Sequence, residues 1–280
     1  VIMEILVAKT AGFCFGVKKA IDRTFAIAEK QREGIYTFGP LIHNPQVIEK
    51  LREKGIFPTD DIFHDAIKAL IIRTHGMPLH LMEKAVRQGY EVIDATCPFV
   101  KKAQQYAELL QEGGYQVVIL GDREHPEVKG LMSYAGEGTL VTDGREELPA
   151  LRNKVGVVVQ TTQPVDALKK LVSRIIEQSK EIKVYNTICN STALRLKETE
   201  EMARKVDVMI VVGGRNSANT TQLANLCLSI PIRTYHIETA DELDGRWFQG
   251  VQKVGITAGA STPDWIIEAV KDRIKDRGGR

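Results

Sequence analysis

Val117-Val-Ile-Leu-Gly-Asp-Arg-Glu-His-Pro-Glu127 passes from a wholly apolar run through a glycine into a polar loop that ends in a histidine and a carboxylate. An apolar run without alternation suits a strand covered on both faces, as in a parallel sheet. On either side the period changes: Gln104 to Glu112 and Leu168 to Glu177 carry helical apolar spacing, and between them lies another run, Val155-Gly-Val-Val-Val159. Strands and helices in alternation indicate an α/β fold with parallel sheets. The alternation continues along the chain, with strands expected at Glu4 to Ala8, Tyr36 to Phe38, Ala69 to Ile72, Val92 to Asp94, Val208 to Val212 and Val254 to Ile256. Helices are expected over both sheet faces.

The pattern recurs. Cys97, ahead of the first stretch, has counterparts in Cys14 and Cys189, which stand 83 and 92 residues away, and each closely follows an expected strand. From each cysteine, a strand ending in glycine and a polar loop lead after 28 or 29 residues to His43, His125 or Ser217. A further strand and loop then bring Arg73-Thr-His75-Gly76, Gln160-Thr161-Thr162 and Thr257-Ala-Gly-Ala-Ser261. Three similar α/β domains follow, at 14–96, 97–188 and 189–280, with the strand in residues 1–13 completing the sheet of the third. The repeat overrides the two domains that 280 residues ordinarily imply. Ligands of open parallel sheets sit beyond the carboxyl ends of the strands, so all nine post-strand loops belong to binding edges. No Pro/Gly/Ser-rich linker separates the repeats, which favours a pseudo-threefold packing that turns those edges onto one central cavity.

Composition narrows the function classes. With 43% hydrophobic and 26% charged residues, the chain is an ordinary globular one, not a disordered one. Its 38 basic and 36 acidic side chains leave +2, too little for binding nucleic acid through overall charge, so an anionic partner must be met locally. No apolar run reaches the roughly 18 to 20 residues of a membrane span. Val1 to Lys9 lacks the basic flank and cleavage site of a signal peptide, and a cytoplasmic location is expected. Four cysteines, Cys14, Cys97, Cys189 and Cys227, are too few and too dispersed for a disulfide scaffold.

Gly12-Phe-Cys14-Phe-Gly16, Ala95-Thr-Cys97-Pro98 and Thr187-Ile-Cys189-Asn190 set three of the thiols among turn-forming residues near helix starts, where amides and the helix dipole favour negative charge. Equal placement marks them as ligands. Structural zinc usually takes closely spaced cysteine pairs, which are lacking here, so zinc with three Cys and a His is the weaker alternative. An iron-sulfur cube held by three thiolates leaves one iron without a protein ligand, able to act as a Lewis acid as well as a redox centre. Cys227 lies on an apolar helical stretch and is expected to pack in the core.

His43, His75, His125, Thr161, Thr162, Ser217, Asn219 and Ser261 form a second constellation on the loops. Their N–H and hydroxyl groups, with helix N-terminal amides, can enclose a diphosphate without a basic patch. Within His125-Pro-Glu127-Val128, Glu127 is the carboxylate that adjoins the post-strand histidine. Beside a bound anion its pKa is expected to rise, which suits proton delivery near neutral pH. Gly213-Gly214 belongs to neither a Gly-x-Gly-x-x-Gly nor a Walker motif, so no nucleotide site is expected.

Eight motifs in order, Ala11-Gly-Phe-Cys-Phe-Gly-Val17, Gly39-Pro-Leu-Ile-His-Asn-Pro45, Arg73-Thr-His-Gly76, Asp94-Ala-Thr-Cys-Pro98, His125-Pro-Glu-Val128, Gln160-Thr-Thr162, Asn186-Thr-Ile-Cys-Asn190 and Thr257-Ala-Gly-Ala-Ser-Thr-Pro263, closely resemble those of the 4-hydroxy-3-methylbut-2-enyl diphosphate reductases, the LytB family. The resemblance implies a trefoil of three α/β domains around an oxygen-sensitive [4Fe-4S] cluster on Cys14, Cys97 and Cys189. It implies that the iron without a protein ligand takes the substrate's C4 hydroxyl. His43, His75, His125, Thr162, Ser217, Asn219 and Ser261 would then surround the diphosphate, with Glu127, Thr161 and His125 as the catalytic set. Two electrons, from a ferredoxin or flavodoxin, and two protons would remove the hydroxyl as water. The products would be isopentenyl and dimethylallyl diphosphate, at the end of the methylerythritol phosphate route to isoprenoids. Ala218 departs from the family pattern, which often has a second serine there, and no RNA-binding module of the kind fused to some relatives is expected after Arg280. Two other readings stay open at this point: a quinolinate-synthase-like iron-sulfur dehydratase, and a non-catalytic iron-sulfur sensor.

Overall fold

The computed structural model describes residues 3–30, 33–63 and 65–278; Val1, Ile2 and Arg280 lie outside them. In chain order come β1 (Glu4–Val7), α1 (Phe15–Lys30), β2 (Ile35–Phe38), α2 (Pro45–Glu53), β3 (Ile56–Thr59), β4 (Ala69–Ile72), α3 (Leu79–Arg87) and β5 (Glu91–Asp94). Next are α4 (Pro98–Glu112), β6 (Gln116–Leu120), α5 (Pro126–Ala135), β7 (Leu140–Thr142), β8 (Lys154–Val159), α6 (Val165–Ile176) and β9 (Glu181–Val184). Last are α7 (Asn190–Ala203), β10 (Val208–Val212), α8 (Ala218–Leu228), β11 (Arg233–Ile237), two short 3-10 turns, β12 (Lys253–Ala258) and α9 (Asp264–Gly278).

The strands build three four-stranded parallel sheets, ordered β3-β2-β4-β5, β7-β6-β8-β9 and β11-β10-β12-β1. In each sheet the chain lays down a first strand, crosses to one side for the second, then returns to the other side of the first for the third. The third sheet borrows its fourth strand, β1, from the start of the chain, with Glu4 opposite Lys253 and Val7 opposite Ile256. The order puts the same switch point in every sheet, between β2 and β4, β6 and β8, and β10 and β12, where loops leave in opposite directions and open a crevice.

The chain divides into two compact units. One runs from the N-terminal stretch to Lys18, takes in Ile42–Lys50, and continues from Asn190 onward; it contains the sheet of β1, β10, β11 and β12. The other comprises Lys19–Leu41 and Leu51–Cys189 and contains the remaining two sheets. Alternate residues of the central strands feed cores on opposite faces, which explains their unbroken hydrophobicity. In β6, Val117 and Ile119 pack with Ala103, Ala107 and Leu110 of α4 and with α5, whereas Val118 and Leu120 pack with Leu168, Leu171 and Ile175 of α6. In β10, Val208, Ile210 and Val212 face α9, and Met209 and Val211 face Leu223, Ala224 and Cys227 of α8. Each fully covered aliphatic side chain of this kind contributes about 1.5 to 3 kcal/mol of transfer free energy.

Three strands, β3, β7 and β11, fall where the sequence pattern predicts none, and β9, the strand that the place of Cys189 in the repeat requires, has no apolar run to mark it. All are sheet edges, and β9 (Glu-Ile-Lys-Val) is largely exposed. Pro58 sits in β3, a position that only an edge strand tolerates.

Candidate active site

Each of the three cysteines follows the fourth strand of a sheet and stands at the start of a helix. Cys14 and Cys97 accept through their carbonyls the first-turn bonds from Lys18 N (2.9 Å) and Lys101 N (3.0 Å), and Cys189 immediately precedes α7. All three are half-buried and outside any disulfide. Their backbone amides repeat one contact: Cys97 N donates to Thr74 O (3.0 Å), Cys189 N to Thr161 O (2.8 Å) and Cys14 N to Ala260 O (3.3 Å). The acceptor in each case is the residue just before His75, Thr162 or Ser261, on the loop that follows the third strand. Thus each cysteine turn is tied to a loop of the second constellation by a single hydrogen bond repeated three times.

A cysteine at a helix start offers a soft sulfur ligand of the kind that iron-sulfur centres use. Cys227 offers no such group. It is fully buried among Met209, Val211 and Leu223, and burial pushes its thiol up to about 11.

In the unit that contains Cys97 and Cys189, His125 caps α5, its Nδ1 accepting from Glu127 N at 3.2 Å. That bond leaves the ring proton of the neutral imidazole on Nε2. The His125 ring meets that of His75 edge-on, with centroids 5.3 Å apart. Glu127, only 2% exposed, accepts from Thr161 twice: the amide reaches Oε1 at 2.6 Å and the hydroxyl reaches Oε2 at 2.9 Å. Burial raises its pKa to about 7 against the opposing pull of the two Thr161 donors. A carboxyl so placed is an acid or a base at neutral pH, and Thr161 Oγ1 is its contact for passing a proton. The Thr162 hydroxyl oxygen is buried with no hydrogen-bond partner among the described residues. Gln160, fully buried, accepts from Asp122 N (3.0 Å) and so joins the loops on either side of the switch point.

In the other unit, Ser217 caps α8, its Oγ accepting from Thr220 N (3.4 Å) and standing 3.3 Å from Ser261 Oγ. Ser261 Oγ also lies 3.3 Å from His43 O. Gly214 permits this approach, because a Cβ there would lie 2.6 Å from the same His43 carbonyl. The Asn219 side-chain oxygen accepts from Ala260 N (3.1 Å), and its amide nitrogen lies 3.4 Å from Thr192 Oγ1. Asn219 therefore holds the Ser261 turn as well as facing it. Ala218 opens α8, so a backbone amide and no hydroxyl stands at that departure from the family pattern.

Residues without an expected role fix these loops. Asp94 accepts from Thr96 N (2.9 Å) and Lys101 Nζ (2.5 Å), while Arg23 donates to Asp94 O (2.8 Å), which pins the turn that carries Cys97. Burial alone would raise the Asp94 carboxyl; Lys101 and Thr96 outweigh it and hold the pKa below the usual value. Glu198 and the buried Arg195, both on α7, bind the backbone around Cys14. Neither spacing nor residue type marks them, since both read as ordinary helix charges. The signal that does exist is the repeat: six residues after each cysteine stand Ala20, Ala103 and Arg195.

Among the described residues, no helix is long and apolar enough to cross a membrane. A family model described as LytB protein matches residues 5–275. The chain is similar to 4-hydroxy-3-methylbut-2-enyl diphosphate reductase of Geobacter sulfurreducens, 51% identical over 276 residues that make up 98% of each chain. It is likewise similar to the enzyme of that name from Pelobacter propionicus, 50% identical over 97% of this chain and 98% of the relative. A solved structure of (E)-4-hydroxy-3-methyl-but-2-enyl diphosphate reductase, the terminal enzyme of the non-mevalonate pathway, superposes with a TM-score of 0.73 at 43% identity, covering 98% of this chain and 99% of that one. The E-1-hydroxy-2-methyl-but-2-enyl-4-diphosphate reductase from Plasmodium falciparum gives 0.89 at 26% identity, covering 96% and 87%. With a match from Ile5 to Lys275 and half its residues shared with these relatives along their full lengths, the chain belongs to the LytB protein family of oxidoreductases.

Proposed function

We propose that the chain reduces 4-hydroxy-3-methylbut-2-enyl diphosphate, removing the hydroxyl as water at the cost of two electrons and two protons, to give isopentenyl and dimethylallyl diphosphate. The reading is supported by the relatives' shared name and rests above all on the thrice-repeated tether between a cysteine turn and a polar loop. Cys14, Cys97 and Cys189, one at the edge of each of three domains bounded at 14–96, 97–188 and 189–280, hold a [4Fe-4S] cluster with one iron free of protein ligands. When bound, such a cluster supplies electrons and Lewis acidity. Its electrons come from a ferredoxin or flavodoxin in the cytoplasm.

Around the substrate, the chain's own groups divide the work. His43, His75 and His125 donate ring N–H groups to the diphosphate, joined by the hydroxyls of Thr162, Ser217 and Ser261 and the amide of Asn219. The unsatisfied Thr162 hydroxyl fits a role that a ligand completes. Glu127 holds a proton near neutral pH and passes it through the Thr161 hydroxyl, while the Nδ1 bond from Glu127 N fixes the His125 ring with its proton on Nε2.

Anaerobically purified protein, given the diphosphate and a low-potential reductant, is expected to turn over, and Cys14→Ser, Cys97→Ser or Cys189→Ser to lose both iron and turnover. Cys227→Ser keeps both, because its side chain only packs. Iron-replete protein that leaves the diphosphate unreduced, or equal iron loss from Cys227→Ser, sinks the reading.

A further inference from the structure

We propose that Arg195 and Glu198 are positioning residues for Cys14: from one face of α7 they hold residues 9–14 in the conformation that presents the thiol. Arg195 is 2% exposed, an unusual depth for a guanidinium. One terminal nitrogen donates to Ala258 O at 2.7 Å and the other to Gly12 O at 3.0 Å. The rigid guanidinium fork thereby joins the end of β12 to the backbone two residues before Cys14. Glu198, one turn further along, accepts from Lys9 N (2.7 Å), Thr10 N (2.8 Å) and Thr10 Oγ1 (2.5 Å). Two charged groups thus take up three amide or hydroxyl donors and one carbonyl of a loop that has no strand or helix to order it, and tie it to a second carbonyl at the end of β12.

The loop offers little else. Between β1 and α1 its backbone contacts include Ala8 N to Ile256 O (2.8 Å), Ala11 N to Ala8 O (3.0 Å), Cys14 N to Ala260 O (3.3 Å) and Lys18 N to Cys14 O (2.9 Å), and none of these holds residues 9, 10 or 12. Gly12 has φ of +96°, and a Cβ there would lie 2.7 Å from Asp264 Oδ1, so glycine is required at that position, and glycine by itself leaves the backbone free. Six residues past Cys14 and Cys97 stand Ala20 and Ala103, both buried, and nine past them stand Arg23, which donates to Asp94 O (2.8 Å), and Tyr106. Among the three cysteine turns, a buried guanidinium joined with a carboxylate belongs to that of Cys14 alone. The inference rests on the proposed cluster only for what Cys14 binds; the restraint on the turn stands on the contacts themselves.

The test compares the full-length, anaerobically purified protein with its Glu198→Gln, Arg195→Lys and Arg195→Met variants. Amide exchange over residues 8–14 and alkylation of Cys14 against Cys97 by iodoacetamide are read from the same digests. Glu198→Gln is the primary variant, since a half-buried side chain of equal size keeps the fold if Arg195→Met loses it. Exchange at Lys9 and Thr10 and alkylation of Cys14 are expected to rise at least about tenfold in Glu198→Gln, while Cys97 changes less than about twofold. Arg195→Lys, which keeps a cation able to reach one carbonyl, falls between wild type and Arg195→Met. An equal rise at Cys14 and Cys97, or no rise in folded Glu198→Gln, overturns the proposal. Wild-type protein that binds no iron would sink the cluster reading, yet the selectivity for Cys14 would still be decided by the same measurements.

Discussion

α4 and α7 occupy the same place in the repeat, each starting one residue after a cysteine, and they bury opposite chemistry. At three, six, ten and thirteen residues past the cysteine, α4 carries Val100, Ala103, Ala107 and Leu110, and α7 carries Thr192, Arg195, Thr199 and Met202. The last position is shared in kind: Leu110 covers Gly156 in β8, where a Cβ would lie 2.5 Å from its Cδ2, and Met202 covers Gly255 in β12. The rest diverges. α4 joins an apolar core with Val117, Ile119 and Val128, whereas Thr192, Arg195 and Thr199 bond to Asn219, Gly12, Ala258 and Thr257. Hydrophobic packing is non-directional and sets distance, while hydrogen bonds set orientation as well. One helix seat in the repeat therefore gives thickness to a domain and the other aims the loops that carry Cys14 and Ser261.

The largest effect should come from the apolar helix. Leu110→Ala empties a site with no exposed surface, directly above the glycine that was shaped to receive it. A loss of about 2 to 5 kcal/mol in urea unfolding is expected, with the Cys97 turn otherwise intact. A loss below about 1 kcal/mol would mean that α4 is as loosely packed as a surface helix, and the contrast with α7 would collapse.

Within the apolar side, one ionisable group resists the pattern. Glu127 lies on α5, which packs on α4, and burial lifts it to about 7 from its ordinary 4.5. Between those values the folded chain holds a proton that the unfolded chain has released, so wild-type stability falls as pH rises from about 4.5 to about 7 and levels above. Glu127→Gln removes that slope, and its stability relative to wild type should grow by about 3 kcal/mol across the window. Loss of a Thr161 acceptor adds a constant offset, so the slope is the readout. In the same variant, turnover at matched iron content should drop at least about 10²-fold, the scale of general acid catalysis. A flat difference across pH would show that Glu127 stays ionised and remove it as the proton source.

What the sequence could tell follows the same division. Central strands such as Val117-Val-Ile-Leu120 and Val208-Met-Ile-Val-Val212 were legible because burial on both faces leaves only apolar side chains. The edge strands β3, β7, β9 and β11 were not, since one open side admits Pro58, Glu181 and Arg233, and pairing with one neighbour needs no hydrophobic signature. The cysteines, histidines and hydroxyls were legible by recurrence at matching offsets. The roles of Arg195, Glu198 and Gln160 were not, because their partners are chiefly backbone atoms distant in sequence, which leave no trace in residue type, and that of Asp94 was not, because its bonds to Thr96 N and Lys101 are those of an ordinary turn.

The smallest predicted effect separates a hydrogen-bonded seam from mere filling. Thr199 Oγ1 and Thr257 Oγ1 lie 2.8 Å apart with both residues fully buried, where α4 has only Ala107. Thr199→Val or Thr257→Val alone keeps the volume but strands the other hydroxyl in an apolar place, which should cost about 1 to 3 kcal/mol. Making both changes removes the stranded group, so the double variant should be no less stable than either single one, and the cycle should show a coupling of about 1 to 2 kcal/mol. Restored stability would also show what the pair is for. If the double variant unfolds at wild-type urea concentration yet the turn that carries Ser261, just beyond β12, exchanges its amides faster, the hydroxyls contribute orientation and almost no net stability. Strict additivity of the two costs would mean that the hydroxyls act separately, and α7 would then differ from α4 in composition but not in how it works.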